Sequence, residues 1–135
     1  MAMGKETPRL SGLDSVEGAL STVEQYFENG WTDGLPIVPP TEEAVERMIA
    51  ASGRDPLEVL GVIPPRMGVA TVEAVATNAV MAGCCPEYLP VVISAVEAVV
   101  DEPFDLMGLQ ATSDPAAPMI IVSGPVVQQV GINHG

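Results

Sequence analysis

The stretch from Leu89 to Val100 constrains the fold of this chain most strongly, because it is apolar on nearly every side. Its polar residues Ser94 and Glu97, with Asp101 just after it, are spaced three and four positions apart. In a helix, residues at that spacing share one face. Pro86, just before the stretch, suits the first turn of a helix. A helix with so narrow a polar face is predicted to be buried on most sides.

The rest of the chain alternates between helical and strand-like patterns. Apolar residues at helical spacing, with capping residues at the ends, predict three more helices: 15–30, 41–53 and 71–82. Short apolar runs predict three strands: 58–63, 104–109 and 119–122. This alternation indicates an α/β domain with about four to five helices and three short strands. Residues 1–12 are expected to form a flexible tail, and residues 13–135 a single domain that another chain completes.

Charge is distributed unevenly along the 135 residues. The formal net charge is −13, which argues against nucleic acid or an anionic membrane as a partner. No Lys or Arg follows Arg66, although a solvated surface normally mixes both signs. We therefore expect the apolar C-terminal half to be covered by a second protein subunit, in a hetero- or homo-oligomer. The alternative is an ordinary small acidic domain.

The sequence also bears on where the protein resides. No apolar run approaches the roughly 20 residues that a membrane-spanning helix needs. The N-terminal residues MAMGKETPRLSG lack the apolar core of a secretory signal. These two observations predict a cytoplasmic protein.

Cys84 and Cys85 are the only cysteines, and they lie side by side just before Pro86. Successive side chains in a helix diverge by about 100°, so the two thiols are poorly placed to bond each other. Free N–H groups at a helix N-terminus favour the thiolate. One thiol is thus a candidate nucleophile or metal ligand, while the other points into the core. The alternative is that both only pack, as free cysteines often do.

Two irregular segments offer further candidates. Trp31 and Asp33 lie in the loop GWTDGLPIVPP, where an aromatic ring beside a carboxylate suits a wall facing a substrate. Alternatively, Trp31 fills the core and Asp33 forms an Asx-turn. Polar residues also follow the last two predicted strands, at the ends where α/β sheets bind ligands. These candidate substrate contacts are Gln110, Thr112, Ser123 and Gly124.

A metal site has little support in the sequence. Cys84, Cys85 and His134 are the available soft and borderline ligands, but they have no paired spacing such as CxxC. We therefore assign no metal, and the cofactor is left unknown.

The segments WTDGLPIVPPT, ATVEAVATNAVMAGC and CPEYLP, with SGPVVQQVGIN near the end, resemble the UGSC-type (seleno)protein group of bacteria. The resemblance covers residues 30–134 and implies thiol-dependent chemistry. The Sec/Cys-Gly-Ser-Cys motif that names the group does not occur here. Related sequences continue past the turn at the end of this chain, which implies that a second polypeptide supplies the rest. The resemblance singles out Cys84 over Cys85 and adds Glu87 and Tyr88 to the candidates.

Together these features predict a subunit of an oligomeric enzyme whose active site is shared at an interface. Cys84 would act as the thiolate, Asp33 and Glu87 as acid/base or orienting carboxylates, and Trp31 and Tyr88 as walls. The expected reaction is a redox step or cleavage of a carbon–heteroatom bond in a small organic substrate. The alternatives are a non-catalytic interaction subunit and a small-molecule binding domain with buried cysteines.

Overall fold

The structure is a computed structural model, and it describes residues 16–132. The helices are α1 (Val16–Glu28), α2 (Glu42–Ser52), α3 (Val72–Met81), α4 (Leu89–Val100), α5 (Leu106–Ala111) and α6 (Pro125–Gln129). The strands are β1 (Val59–Ile63) and β2 (Gly68–Thr71). Two 3₁₀ turns, Pro86–Tyr88 and Glu102–Phe104, flank α4. The mixed α/β class predicted from the sequence is confirmed.

Local capping sets the ends of α2 and α3. The backbone N–H of Ala44 donates to the Thr41 hydroxyl (3.2 Å) at the start of α2, and Gly53 ends that helix with φ of 66°. The N–H of Ala74 donates to the Thr71 hydroxyl (3.1 Å) at the start of α3. These bonds satisfy N–H groups that the first turn of a helix leaves unpaired. The predicted boundaries of both helices are confirmed.

The core lies where α2, α3 and α4 meet. Val45 and Met48 of α2, Val72 of α3, and Leu89 and Ile93 of α4 are all fully buried there. The rest of α4 is less well covered than its apolar sequence predicts, since its other valines and Ala95 are only half-buried. The described part of the chain therefore covers one side of α4 and leaves apolar surface on the others.

The two strands form an antiparallel hairpin that packs on α4. Val62 pairs with Val69 and Gly61 pairs with Ala70, with an irregularity between Val59 and Gly61. A Cβ on Gly61 would lie 2.5 Å from Cγ2 of Val100 in α4. A residue without a side chain is thus what lets β1 approach the helix closely.

Two predicted strands do not form. Residues 104–109 belong to a 3₁₀ turn and α5, because Asp105 caps this helix by accepting from the N–H of Gly108 (3.1 Å). Residues 119–122 have an apolar strand-like sequence, but no neighbouring strand pairs with them in the described residues. Conversely, the sequence pattern missed β2, a short strand whose partner lies across the turn at residues 64–67.

Within residues 16–132, none of the helices is both long and apolar enough to cross a lipid bilayer.

Candidate functional site

The residues between α3 and α4 form what we call the thiol end, residues 83–88. Gly83 turns the chain at the end of α3 with φ of 78°, and the N–H of Cys84 donates back to the Ala79 carbonyl (2.9 Å). Cys85 precedes the 3₁₀ turn in an extended conformation, and Pro86 begins that turn. Both thiols therefore lie at the N-terminal end of α4, as the sequence predicts.

The two thiols differ in their surroundings. Both are free; Cys84 is half-buried and packs against the core cluster, whereas Cys85 is exposed. One thiol therefore faces the core more than the other, although neither cysteine lies in a helix. The assignment of Cys84 as the reactive thiol remains a prediction, and exposure alone favours Cys85.

Glu87 and Tyr88 are the two other candidates at the thiol end. Glu87 is exposed, and no ion pair is described for it within residues 16–132. Tyr88 is half-buried, and its N–H donates to the Cys85 carbonyl (3.0 Å). A thiol, a carboxylate and a phenol therefore lie within five consecutive residues at the same end of α4.

The loop with Trp31 and Asp33 is attached to α1 and α3. The Trp31 ring packs edge-on against the Tyr26 ring, with 5.0 Å between centroids and an interplanar angle of 81°. Its indole Nε1 is buried and has no acceptor within the described residues. Burial raises the pKa of the Tyr26 hydroxyl above its usual value. Trp31 thus contributes to packing, as one of the two sequence interpretations expects.

Asp33 is exposed and forms the Asx-turn of the same interpretation, because its Oδ1 accepts from the N–H of Leu35 (3.0 Å). Further along the loop, the N–H of Val38 donates to the Met81 carbonyl (3.0 Å). A Cβ on Gly83 would lie 3.7 Å from Cγ2 of Val38. The end of the loop at Val38 therefore borders the thiol end, whereas the hydrogen bond described for Asp33 stays within the loop.

The remaining candidates follow α4 in the chain. Gln110 is in α5, and Thr112, Ser123 and Gly124 are in or beside the irregular segment after it; all four are exposed. The Thr112 hydroxyl accepts from the N–H of Asp114 (3.2 Å). A helix of 12 residues such as α4 is about 18 Å long. The start of α5, which lines a cavity together with the C-terminal end of α4, is thus about that far from the thiol end.

Sequence reasoning missed an open cavity of about 230 Å³ at the C-terminal end of α4. Its wall is apolar, with Val62, Met67 and Leu106 among its residues. Three acids also line it: Asp101, Glu102 and Asp105. The acids are close in sequence, but the apolar wall is assembled from the hairpin, α4 and α5, and no local pattern predicts it.

A second missed feature is an ion-pair cluster around Arg54. Its Nε donates to Glu58 Oε2 (2.9 Å) and its Nη1 donates to Glu97 Oε1 (2.6 Å). Hydrogen bonds from Arg54 hold the pKa of the Glu58 carboxyl below its usual value, and the bonds to Glu58 and Glu97 raise the pKa of Arg54. The cluster connects the segment after α2 to α4.

In the part of the chain that the structure describes, no three His, Cys, Asp or Glu side chains are grouped as a metal site requires. His134, the third ligand in the metal alternative, lies outside the described residues. The structure therefore adds nothing in favour of the site formed by Cys84, Cys85 and His134.

Comparison of the sequence with protein-family models gave no match, and searches of curated proteins and of solved structures gave none either. The resemblance to the UGSC-type group therefore stays a prediction.

Proposed function

We propose that this chain is one subunit of an oligomeric enzyme whose active site is completed by another chain at the thiol end. The single observation that supports it best is the amount of apolar surface left uncovered. Leu35 and Leu57 are 66% and 74% exposed, and α4 is only half covered. Apolar surface of this extent is typical of protein interaction sites.

The chemistry of the proposal rests on the residues of the thiol end. Cys84 acts as the thiolate, since it lies just before the N-terminus of the turn that leads into α4. Glu87 provides a solvent-accessible carboxylate three residues away, and Tyr88 an aromatic wall with a hydroxyl. Asp33 and Trp31 belong to the loop that borders this end. The described chain gathers no complete set of nucleophile, base and orienting group, so the partner supplies the missing groups.

The substrate class follows from the resemblance to the UGSC-type group. We expect a small organic molecule that undergoes a redox step or cleavage of a carbon–heteroatom bond. We expect Gln110, Thr112, Ser123 and Gly124 to contact the substrate where subunits meet. The free thiols support a cytoplasmic location, and the charge of −13 disfavours nucleic acid and anionic membranes as partners.

A second candidate function is a non-catalytic interaction subunit. It is favoured by the packing of Cys84 against the core cluster and by the Asx-turn that accounts for Asp33. Under this alternative the exposed apolar surface serves assembly alone.

Thiol reactivity within the native assembly distinguishes the two functions. The protein is purified from its source, its mass is measured under native conditions, and alkylation is followed for each cysteine by peptide mass spectrometry. The enzyme proposal expects a multi-subunit mass and fast alkylation of Cys84 at about pH 6. A Cys84 that alkylates only after unfolding, while Cys85 reacts as an ordinary exposed thiol, would contradict the catalytic role and favour the interaction subunit.

A further inference from the structure

The open cavity at the C-terminal end of α4 has a volume of about 230 Å³ and shares no residue with the thiol end. The least exposed part of its wall is apolar and consists of Val99 and Val100 of α4 with Leu106 of α5. Val62 and Met67 extend this wall on the side of the hairpin. Clefts that bind drug-sized ligands enclose about 300–1,000 Å³. The cavity therefore suits a smaller molecule with an apolar part.

The charged residues that line the cavity are all acids: Asp101, Glu102 and Asp105. None of the three forms an ion pair within residues 16–132, and no Lys or Arg lines the cavity. Helix α4 ends at Val100 without a basic residue in its last turn, so the negative end of its dipole lies at the same place. The acids are exposed, whereas the valines behind them are half-buried. The cavity thus combines an apolar wall with a negatively charged mouth.

The backbone of the wall is unusual at two positions. Within residues 16–132, the residues other than glycine with a positive φ are Met67 (54°) and Asp105 (50°). Both line the cavity, one from the turn of the hairpin and one from the turn before α5. The left-handed conformation is unfavourable for a side chain such as that of methionine, and strained backbone is concentrated at ligand sites. These two positions support a wall that is shaped for a ligand.

From the apolar wall and the charge of the mouth together, we infer that the cavity binds a small aliphatic amine in its protonated form. The ammonium group interacts with the carboxylates at the mouth, and the alkyl chain packs on Val99, Val100 and Leu106. The same carboxylates repel an anion, and an uncharged alcohol gains only the apolar contact. The inference does not depend on the proposed function, which concerns the thiol end.

The order of the two parts distinguishes a free amine from the lysine side chain of another protein. Because the charge of the cavity lies at its mouth, a ligand must enter with its alkyl chain first. A lysine side chain enters with its ammonium group first, which places the cation against the apolar wall at a cost in desolvation. The occupant is therefore a free amine.

Titration calorimetry of the full-length protein with hexylammonium tests the binding at about pH 7, where alkylamines are protonated. We expect saturable binding with a dissociation constant of about 1 mM or below. Propylammonium should bind about tenfold or more weakly, because each methylene that leaves water contributes up to about fourfold. Hexanol and hexanoate are the matched controls for charge, and Nα-acetyl-lysine amide represents the lysine of a protein.

The three comparison ligands can each contradict the inference. Hexanol or hexanoate that binds as tightly as hexylammonium would show that the carboxylates do not select a cation. Propylammonium that equals hexylammonium would show that the alkyl chain makes no contact with the wall. Acetyl-lysine amide that binds as tightly as hexylammonium would overturn the free amine in favour of a lysine from a protein partner.

Methionine methyl groups report where the amine binds. The protein is labelled with carbon-13 in these methyl groups, and their nuclear magnetic resonance signals are followed during the titration. We expect the signals of Met67 and Met107, which line the cavity, to shift with the same saturation curve as the heat. Met119 is 82% exposed and does not line the cavity, so its signal should stay in place. Equal shifts at Met119 would mean that the amine adsorbs to any apolar surface, and the site would be refuted.

Neutral variants of the mouth test the role of its charge. Asp101→Asn/Glu102→Gln should weaken hexylammonium binding by about fivefold or more and leave hexanol unaffected. Glu24→Gln/Glu28→Gln is the matched control, since it makes the same change in net charge on α1 and neither residue lines the cavity. It should change the dissociation constant by less than about twofold. All four side chains are exposed, and circular dichroism verifies that both variants are folded. Equal weakening by the two variants would mean that total charge, and not this cavity, attracts the amine.

Discussion

At the scale of single residues, Gly61 shows how a missing side chain positions two elements. It lies where β1 approaches α4, and a Cβ there would lie 2.5 Å from Cγ2 and 3.0 Å from Cβ of Val100. Valine is stiff about χ1, so Val100 has little freedom to move away. A side chain at position 61 would therefore force the strand or the helix to shift.

We expect Gly61→Ala to lower the free energy of unfolding by about 1–3 kcal/mol, the usual cost of overpacking. Urea denaturation, monitored by circular dichroism, measures this change in the free energy of unfolding. Gly68→Ala is the matched control in the same hairpin, since a Cβ there meets no atom within 4 Å. If both variants lose the same stability, the close approach to Val100 is not the reason for the glycine. If the double variant Gly61→Ala/Val100→Ala regains stability, the close approach to Val100 is confirmed as the reason for the glycine.

The Arg54 cluster predicts a dependence of stability on pH. Hydrogen bonds from Arg54 hold the pKa of Glu58 below its usual value in the folded chain. The folded state therefore binds fewer protons than the unfolded state as the pH falls. The contribution of Glu58 to stability is present above the ordinary glutamate pKa of about 4.3 and is lost as the pH falls through the lower folded value.

Glu58→Gln should accordingly flatten the decline in unfolding free energy between about pH 5 and about pH 3. Urea denaturation at a series of pH values measures that slope. Glu43→Gln is the control, because Glu43 pairs with Arg47 at 3.8 Å with both side chains largely exposed. An equal effect from Glu43→Gln would mean that total charge, and not the Arg54 cluster, controls the slope.

At the scale of elements, the start of α3 connects the hairpin to the core. Thr71 is the last residue of β2 and the N-cap of α3, whose apolar face fills the centre of the molecule. One hydroxyl thus stabilises the junction between a strand and a helix. Its hydrogen bond is to the N–H of Ala74, which the first turn leaves without a backbone partner.

Thr71→Ala should lower the free energy of unfolding by about 1 kcal/mol through loss of this cap. Thr71→Ser keeps the hydroxyl and should recover most of the loss, measured by the same denaturation. Thr112→Ala removes a hydroxyl that also accepts from a backbone N–H, but in the exposed segment after α5. It should change stability by less than about 0.5 kcal/mol. Equal losses at positions 71 and 112 would argue against a specific capping role.

At the scale of the whole molecule, net charge and exposed apolar surface act in opposite directions on self-association. The formal charge of −13 drives copies apart, while Met119, Ile121 and the hairpin face favour contact. Salt screens the repulsion and leaves the apolar contact largely unaffected.

Raising sodium chloride from about 0.05 M to about 0.5 M should therefore strengthen self-association by about tenfold or more. Sedimentation equilibrium of the full-length chain measures the dissociation constant at each salt concentration. Ile120→Asp tests whether the association at high salt uses the exposed apolar residues 119–121. An association that weakens as salt rises would mean that ion pairs, not apolar side chains, form the contact.

The parts of the fold that the sequence determined by itself are the ones fixed by neighbouring residues. Helices α2 and α3 begin at Thr41 and Thr71, and α2 ends at Gly53, because caps and backbone bonds join residues only a few positions apart. The sequence also placed both thiols just before α4, although neither lies in a helix as their expected divergence assumed. Asp105 was also a local signal, in this case for the start of a helix, because it caps α5. The prediction of a strand at 104–109 overlooked that signal.

Only the tertiary structure decided which apolar runs became strands and which polar groups met. Two runs of similar composition have different outcomes: 59–63 pairs with β2, while 119–122 has no neighbouring strand in the described residues. Arg54 and Glu97 meet although they are 43 positions apart. A strand pairing and a distant ion pair each need a partner from elsewhere in the chain. The local sequence does not specify which residues that partner will be.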